Sequence, residues 1–357
     1  RLLGASRPVI ISGHELATHD AFDEAADFAE LLGAAVYQEP TPYSARFKTD
    51  SPVFMGTLNR TQKQVRATLE PFDLIICLGG DLLRMSVYSP IDPVPEGVPI
   101  VHISERDREL GKNYPTEVAI QANIKETLRA ILPRLRAKRT GDIASRAEAR
   151  LAALKPRNWA AQRDRARVEL MMEAESTPID PRFMVMRLTD ALPKDAVVVE
   201  EALTTTATLP TFLPQRNTKA LYGLASGGLG FGVPGAVGIS LALPGRPIAA
   251  LIGDGSAMYG VQAFWTAAHL KLPITYVIAN NRSYRILKDR MVAMRSTPQF
   301  PAMDLRDPEI DYVGLAQSMG IPARRISDPN DLLDGMREAF MSGGPRLIDV
   351  TIADGYS

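Results

Sequence analysis

The chain has 357 residues, which is enough for two domains that each bury a core. Its 41 lysine and arginine residues are balanced by 41 aspartate and glutamate residues, so no net charge indicates a nucleic acid, an anionic membrane surface or a strongly acidic partner. A membrane-spanning stretch and a signal-peptide pattern are both lacking, the four histidines show no metal-ligand spacing, and the only cysteine, Cys77, lies in an apolar run, so a cytoplasmic protein is expected.

The first part of the chain alternates short apolar runs with a segment of helical period. The apolar runs are PVIISG, AAVYQEP, FDLIICLGG and VPIVHIS, and the helical pattern is HDAFDEAADFAELLG. Strands that alternate with helices in this way predict a parallel sheet covered by helices. We therefore expect a Rossmann-like central domain over residues 1–135.

Residues 136–178 form a basic stretch that is rich in arginine, lysine and alanine. Such a stretch could be a nucleic-acid surface or a solvated helical linker. We favour the linker because aromatic residues are not interleaved for base stacking. Neither a nucleic acid nor a membrane is therefore expected as a partner.

A second alternating pattern begins near Ile179. A helical segment, PRFMVMRLTDAL, is followed by the apolar runs AVVVEE, PIAALIGDG, ITYVIANN and PRLIDVTIA, with the helical segment YGVQAFWTAAHLKL among them. This pattern predicts another doubly wound domain over residues 179–357. The expected fold class is α/β, with two doubly wound parallel-sheet domains.

The glycine-rich passage SGGLGFGVPGAVG raises the question of dinucleotide binding. Gly230, Gly232 and Gly235 have G-x-G-x-x-G spacing, and Asp254 follows about 20 residues later, as in the dinucleotide fingerprint. However, the passage does not follow a strong strand, and a ribose-binding acid does not need the two glycines that flank Asp254. Close backbone packing at the start of a helix is the alternative interpretation.

Two short motifs end consecutive apolar strands. GDGS, residues 253–256, leads into a helix, whose first N–H groups suit a phosphate. The Asp254 carboxylate would repel that phosphate unless a cation lay between them, and Mg²⁺ accepts carboxylate and phosphate oxygens together. Asn281 ends the next strand with a neutral amide oxygen, and the carbonyl of Ser283 could be a further ligand. Each motif alone would be read as a turn or loop, but the pair predicts a diphosphate held by Mg²⁺.

The GDGS and ANN pair resembles the signature of the thiamine-diphosphate-dependent 2-keto-acid decarboxylase and acetolactate synthase superfamily. The passages ASGGLGFGVPGAVG, GDGSAMYGVQAFWTAAHLKLP and NNRSY are most similar to benzoylformate decarboxylase-like proteins. The resemblance covers essentially the whole chain. It implies a subunit of three domains, of which this sequence shows the central and the diphosphate-binding ones. The pyrimidine-binding domain would come from the same or another chain, and a homodimer or homotetramer is implied.

The resemblance also implies roles for individual residues. Mg²⁺ would be held by Asp254, Asn281 and the carbonyl of Ser283. The positions implied for cofactor binding are Thr204, Thr205, Gly227, Leu229, Gly255, Ser256 and Tyr284, and those implied for the substrate pocket are Ile286 and Leu287. A helix cap is the alternative for the two threonines, and core packing is the alternative for the three aliphatic residues.

The implied activity is non-oxidative decarboxylation of a 2-keto acid. An acetolactate synthase-type carboligation and a catalytically incomplete cofactor-binding fragment are the alternatives. The activating glutamate of the family belongs to the pyrimidine-binding domain, and no segment here matches it, so this chain alone is expected to be inactive.

Two features of the central domain concern substrate and cofactor. An active-site histidine of the relatives falls near Ser86, and serine cannot replace it as an acid at neutral pH. This argues against benzoylformate as the substrate and leaves a different 2-keto acid or a ligase activity open. Some relatives bind FAD in this domain. The pair Gly79 and Gly80 is the only feature of this sequence that indicates FAD.

Overall fold

The computed structural model describes residues 1–40, 43–85, 89–172, 174–295 and 299–356. Its contacts divide the chain into two compact units. One consists of Arg1–Asp164 with Pro214–Ala220, and the other of Arg165–Leu213 with Leu221–Ser357. Each unit contains one six-stranded sheet with helices. The predicted α/β class with two parallel sheets is therefore confirmed.

The sheet of the first unit has the strand order β3-β2-β1-β4-β5-β6, and its strands pair in parallel. This is the strand order of the Rossmann fold. Its strands are β1 Pro8–Ser12, β2 Ala35–Gln38, β3 Phe54–Thr57, β4 Leu74–Leu78, β5 Ile100–Ser104 and β6 Val118–Gln121.

The sheet of the second unit has the order β11-β12-β10-β9-β7-β8 and is also parallel. Its strands are β7 Val197–Glu201, β8 Leu221–Tyr222, β9 Ile248–Gly253, β10 Ile274–Asn280, β11 Ala323–Ile326 and β12 Arg346–Thr351. The core of this unit lies where the buried inner strands meet the helix Gly232–Ala242 and the helices after β9 and β10, with Phe264 and Tyr276 in edge contact.

The helices connect successive strands, as parallel sheets require. They are α1 Glu15–Thr18, α2 Phe22–Leu32, α3 Gln62–Leu69, α4 Ile124–Lys138, α5 Gly141–Leu154, α6 Trp159–Met171, α7 Pro181–Ala191, α8 Leu209–Phe212, α9 Gly232–Ala242, α10 Asp254–Ala257, α11 Ala263–His269, α12 Arg285–Arg295, α13 Tyr312–Ser318 and α14 Leu332–Met341. Short 3-10 helices span Asp107–Glu109, Lys155–Arg157, Thr205–Thr208 and Pro329–Asp331. No helix in the described ranges is long and apolar enough to cross a bilayer.

The strands that the sequence patterns did not indicate are β3, β6, β8 and β11. All four lie at the edges of the two sheets. An edge strand is paired on one side only, so it can be short and partly polar. In β6 and β11 most residues are exposed or half-buried, whereas β1, β4, β5 and β7 are buried at every position. The exposed edge strands therefore do not need the apolar runs that made the inner strands recognisable, and β3, although buried at three of its four positions, is too short to form such a run.

The segment predicted to be a solvated linker is largely helical, since it contains the end of α4 and all of α5 and α6. It also packs. Ala147, Leu154 and Trp159 are buried, and the Trp159 ring lies 6.3 Å from that of Phe54. Widely spaced apolar anchors of this kind give a weak sequence signal. The domain bounds at residues 135 and 178 stay predictions.

Candidate functional site

The order of the second sheet reverses beside β7, because the chain passes from β7 to β8 on one side and then to β9 on the other. Ligands of open α/β sheets bind beyond the carboxyl ends of the strands at such a point. Three neighbouring strands, β7, β9 and β10, end here at Glu201, Gly253 and Asn280. The predicted metal and diphosphate residues follow two of these strand ends directly.

Asp254 follows β9 and is only 5% exposed. Its Oδ1 accepts a hydrogen bond from the Gly255 N–H at 2.8 Å, and its Oδ2 accepts one from the Ser283 N–H at 3.3 Å. Burial raises the pKa of this carboxyl to about 6, against the opposing effect of these backbone donors. Among the described lysines and arginines, none forms an ion pair with Asp254. A cation at this position would therefore stabilise the ionised form.

Asn281 lies beside Asp254, as the spacing of the two motifs predicted. Its Oδ1 accepts a hydrogen bond from the same Ser283 N–H, at 3.0 Å. Between them, Arg282 adopts a left-handed backbone conformation with φ of 56°, which makes the tight turn after β10. The structure thus brings together two buried side-chain oxygens and the backbone of Ser283, the three positions predicted to hold Mg²⁺.

Residues that the sequence analysis did not single out form hydrogen bonds that hold these two motifs in place. The Tyr312 hydroxyl donates to the carbonyl of Asp254 at 2.5 Å, and Tyr312 is 1% exposed. Asn280 donates from Nδ2 to Asp349 at 2.9 Å, and Arg325 donates to the other oxygen of that carboxylate at 2.8 Å. Of these residues, only Asn280 lay within a recognised motif.

Glu201 is a second residue that the sequence did not single out. It ends β7, is 1% exposed, and accepts hydrogen bonds from the N–H groups of Gly230, at 2.6 Å, and Gly232. One buried carboxylate therefore holds both ends of the glycine turn that precedes α9. Its position in the EEALTTT passage, at the end of an apolar strand, was the available signal.

Backbone conformation and close packing explain why glycine occupies these positions in the passage. Gly227 and Gly230 have φ of 78° and 103°, which glycine adopts without strain. A Cβ on Gly232 would lie 2.4 Å from Cδ1 of Ile252. These contacts agree with the close-packing interpretation of the G-x-G-x-x-G spacing and give no support to the dinucleotide interpretation.

Gly255 and Tyr284 are in direct contact, although they were predicted from separate motifs. A Cβ on Gly255 would lie 2.7 Å from Cε1 of the Tyr284 ring. The Tyr284 N–H donates to the carbonyl of Met303 at 2.8 Å, which orients the start of α12. Ser256, the next residue of the GDGS motif, is buried.

The two predicted threonines follow β7 at the same edge of the sheet. Thr205 is buried and Thr204 is half-buried. Neither makes the capping hydrogen bond that was the alternative explanation. The Thr206 hydroxyl accepts the N–H of Ala202 at 3.1 Å, a contact that links the 3-10 helix back to the end of β7 and is not a helix cap.

The predicted aliphatic positions differ in exposure. Leu229 and Leu287 are 36% and 48% exposed, and Ile286 is half-buried. Core packing, the alternative interpretation, therefore does not account for the two leucines. Ser86, the position aligned with the histidine of the relatives, lies outside the described residues.

Comparison with known families agrees with this geometry. Residues 1–131 match the family model "Thiamine pyrophosphate enzyme, central domain", and residues 204–350 match "Thiamine pyrophosphate enzyme, C-terminal TPP binding domain". Together the two matches cover more than three quarters of the chain. The chain belongs to the thiamine pyrophosphate enzymes. The two matched domains are those that the resemblance implied.

Individual thiamine pyrophosphate enzymes are similar over almost the whole chain. Benzoylformate decarboxylase of Pseudomonas aeruginosa is 29% identical over 351 residues, which are 98% of this chain and 62% of that protein. Acetolactate synthase 1 of Zea mays is 25% identical over 369 residues, covering 99% of this chain and 54% of that protein. The solved structure of a thiamine diphosphate-dependent 4-hydroxybenzoylformate decarboxylase from Rhodococcus jostii has a TM-score of 0.79 and 28% identity, covering all of this chain and 63% of that one. The chain thus spans about three fifths of the length of these decarboxylases.

Proposed function

We propose that the chain forms the central and diphosphate-binding parts of a thiamine-diphosphate-dependent carboxy-lyase that decarboxylates a 2-keto acid without oxidation. The observation that carries this proposal is the buried Asp254 carboxylate beside the Asn281 amide oxygen at the carboxyl edge of the sheet. The similarity of the chain to enzymes named as benzoylformate decarboxylases supports it.

The residues at this edge fit a diphosphate-bound Mg²⁺. Asp254 is a buried carboxylate with a raised pKa and no cationic side chain paired to it within the described ranges, so a divalent cation would offset the cost of its ionisation. Asn281 would add a neutral hard oxygen, and the Ser283 carbonyl a third ligand. Mg²⁺ binding by these three residues is part of the proposal.

The same edge would bind thiamine diphosphate. Gly255, Ser256 and one of Thr204 and Thr205 would contact the diphosphate. Gly227 would accept a hydrogen bond from the aminopyrimidine through its carbonyl, the exposed Leu229 would lie under the cofactor, and Tyr284 would close the site over Gly255. When bound, thiamine diphosphate supplies the nucleophilic thiazolium carbon and accepts the electrons that remain when carbon dioxide leaves.

The residues of the chain would then position the cofactor and exclude water from the site. Glu201 holds the backbone at Gly230 and Gly232, directly after Leu229, and Tyr312 holds the backbone of Asp254. Ile286 and Leu287, at the start of α12, would form an apolar wall for the 2-keto acid. No acid or base for the proton steps is assigned within this chain.

The proposal includes a partner. A pyrimidine-binding domain from the same or another chain would supply the activating glutamate, so residues 1–357 alone would be inactive. We expect the complete enzyme to be a homodimer or homotetramer in the cytoplasm. Sedimentation of the complete gene product and cell fractionation would test both points.

Carboligation of the acetolactate synthase type is the second candidate, and the similarity to acetolactate synthase 1 of Zea mays favours keeping it. FAD has less support, because packing accounts for the two glycines that suggested it. A Cβ on Gly79 would lie 2.4 Å from Cβ of Glu15, and a Cβ on Gly80 would lie 2.8 Å from the carboxyl carbon of Glu39.

One experiment separates these functions. The complete gene product would be incubated with thiamine diphosphate, Mg²⁺ and either pyruvate or benzoylformate, and the products identified. An aldehyde supports decarboxylation, whereas acetolactate from pyruvate supports carboligation. Calorimetric titration with thiamine diphosphate and Mg²⁺, and separately with NAD, tests the binding step. Absence of thiamine diphosphate binding would reject the proposal.

A further inference from the structure

The first unit contains a cleft at the edge of its sheet where the strands begin. Helix α5 lies over the starts of β1 and β2, and the space enclosed is about 450 Å³. In open α/β sheets, ligands bind at the opposite edge, where the strands end. This cleft is therefore separate from the residues considered above.

The floor of the cleft is apolar. It is formed by Pro8 and Ala35 from the two strand starts, Leu154 from α5, and the rings of Tyr37 and Phe72. The two rings meet edge to face, with centroids 6.5 Å apart and planes at 75°, so they present a fixed aromatic surface. A volume of a few hundred cubic ångströms with mostly apolar walls is typical of small-molecule sites.

The charged residues of the lining all have the same sign. Arg7, Arg150 and Arg157 line the cleft, and its lining contains no aspartate, glutamate or lysine. Arg150 is engaged, because its Nε and Nη2 donate to the carbonyl of Leu32 at 3.2 and 2.6 Å. The nearby Asp73 accepts the N–H groups of Ser6 and Arg7, at 2.7 and 2.8 Å.

The described residues therefore leave two arginine guanidinium groups at the rim of the cleft without an anionic partner. Arg7 and Arg157 are exposed, and no carboxylate in the described part of the chain forms an ion pair with either guanidinium. The Arg157 charge also acts on the cleft itself, since it opposes the rise in the pKa of Tyr37 that burial causes. An apolar floor beneath unpaired guanidinium groups matches a molecule with an apolar body and one anionic head.

We propose that this cleft binds a small amphipathic carboxylate, with its apolar body on Tyr37, Phe72 and Leu154 and its carboxylate at Arg157 and Arg7. The charge of the lining excludes a cationic ligand, and the unpaired guanidinium groups favour an anion over a neutral molecule of the same shape. This inference does not depend on the proposed enzymatic function. It assigns the chain a second small-molecule site.

The test uses the complete gene product and calorimetric titration with decanoate below its micellar concentration, with decan-1-ol as the neutral probe. Ala153→Phe would fill the cleft from α5, and Ala152→Phe, at the exposed neighbouring position outside the lining, is its matched control. Arg157→Gln would remove the rim charge, and Arg134→Gln, an exposed arginine on α4, is the control for charge.

We expect one saturable decanoate site in the unchanged protein and in both controls. Affinity should fall roughly ten-fold or more in Ala153→Phe and Arg157→Gln, and decan-1-ol should bind about ten-fold more weakly than decanoate. Unchanged binding in Ala153→Phe, or equal affinity for the alcohol, would overturn the proposal. A second result would also overturn it: the unchanged protein binds no decanoate, and Ala153→Phe changes the sedimentation of the protein. Another copy of the chain would then cover the cleft.

Discussion

The Asp254 carboxylate accepts a hydrogen bond from the Ser283 N–H at 3.3 Å, and so ties the end of β9 to the turn after β10. The side chain proposed to bind Mg²⁺ is thus also part of the connection between two adjacent strands. Removing its charge and removing its hydrogen bonds are therefore different perturbations, and variants can separate them.

We expect Asp254→Asn to lose Mg²⁺-dependent binding of thiamine diphosphate by a factor on the order of one hundred or more, because a neutral amide replaces the anionic ligand. The single amide oxygen can accept the N–H of Gly255 or of Ser283 but not both, so we expect the fold to persist with some loss of stability. Calorimetric titration with and without Mg²⁺ measures the loss. Asp190→Asn, which breaks an ion pair with Arg167 elsewhere in the same unit, is the control and should bind normally. Equal affinity in Asp254→Asn and the unchanged protein would refute the assigned ligand.

The raised pKa of Asp254 predicts how stability depends on pH in the absence of metal. The folded protein holds this proton up to a pKa of about 6, whereas the unfolded chain releases it near 3.8, the ordinary pKa of aspartate. Between these values the folded state binds more protons, so stability falls as the pH rises, by at most about 3 kcal/mol from this group. Thermal unfolding of the metal-free protein from pH 4 to 7 should show a steeper decline than Asp254→Asn. Parallel curves for the two proteins would exclude this role of Asp254.

Affinity for Mg²⁺ should show the opposite trend. Only the ionised carboxylate binds a cation, so Mg²⁺ affinity should rise with pH through about 6 and then level off. Titration of the complete protein with Mg²⁺ and thiamine diphosphate at several pH values measures this trend. Affinity that stays constant across that range would mean that another group binds the metal.

We expect Glu201→Gln to weaken thiamine diphosphate binding by roughly ten-fold or more, although Glu201 is proposed as a positioning residue and not as a ligand. Its amide would place an N–H₂ group against one of the Gly230 and Gly232 donors, so the backbone that follows Gly227 and Leu229 would lose one of its two hydrogen bonds to this side chain. The decisive measurement is cofactor affinity and thermal stability in the same variant, each compared with that of the unchanged protein. A variant with lower stability and normal affinity would show that Glu201 acts only on the fold.

Tyr312→Phe should lower the free energy of unfolding by about 1–3 kcal/mol, because it removes the hydroxyl that donates to the buried carbonyl of Asp254. Tyr276→Phe is a matched control in the same core, since its hydroxyl reaches the Val233 carbonyl only at 3.5 Å. Urea unfolding of both variants gives the comparison. A larger loss in Tyr276→Phe would contradict the importance of the Tyr312 contact.

The sequence by itself determined the inner strands and the family. Strands such as β4 and β9 are buried on both faces, so their residues form continuous apolar runs that are visible locally. The GDGS and ANN motifs were visible for the same reason, because each directly follows such a run. Parallel pairing then places their side chains at one edge of the sheet.

Only the tertiary structure revealed the four edge strands and the contacts of Glu201 and Tyr312. Edge strands need little apolar sequence because one side lacks a partner strand. Glu201 and Tyr312 act on groups that lie far from them along the chain, Gly232 and Asp254, and no local pattern encodes such a pairing. These contacts exist only once the strands have adopted the order that brings β7, β9 and β10 side by side.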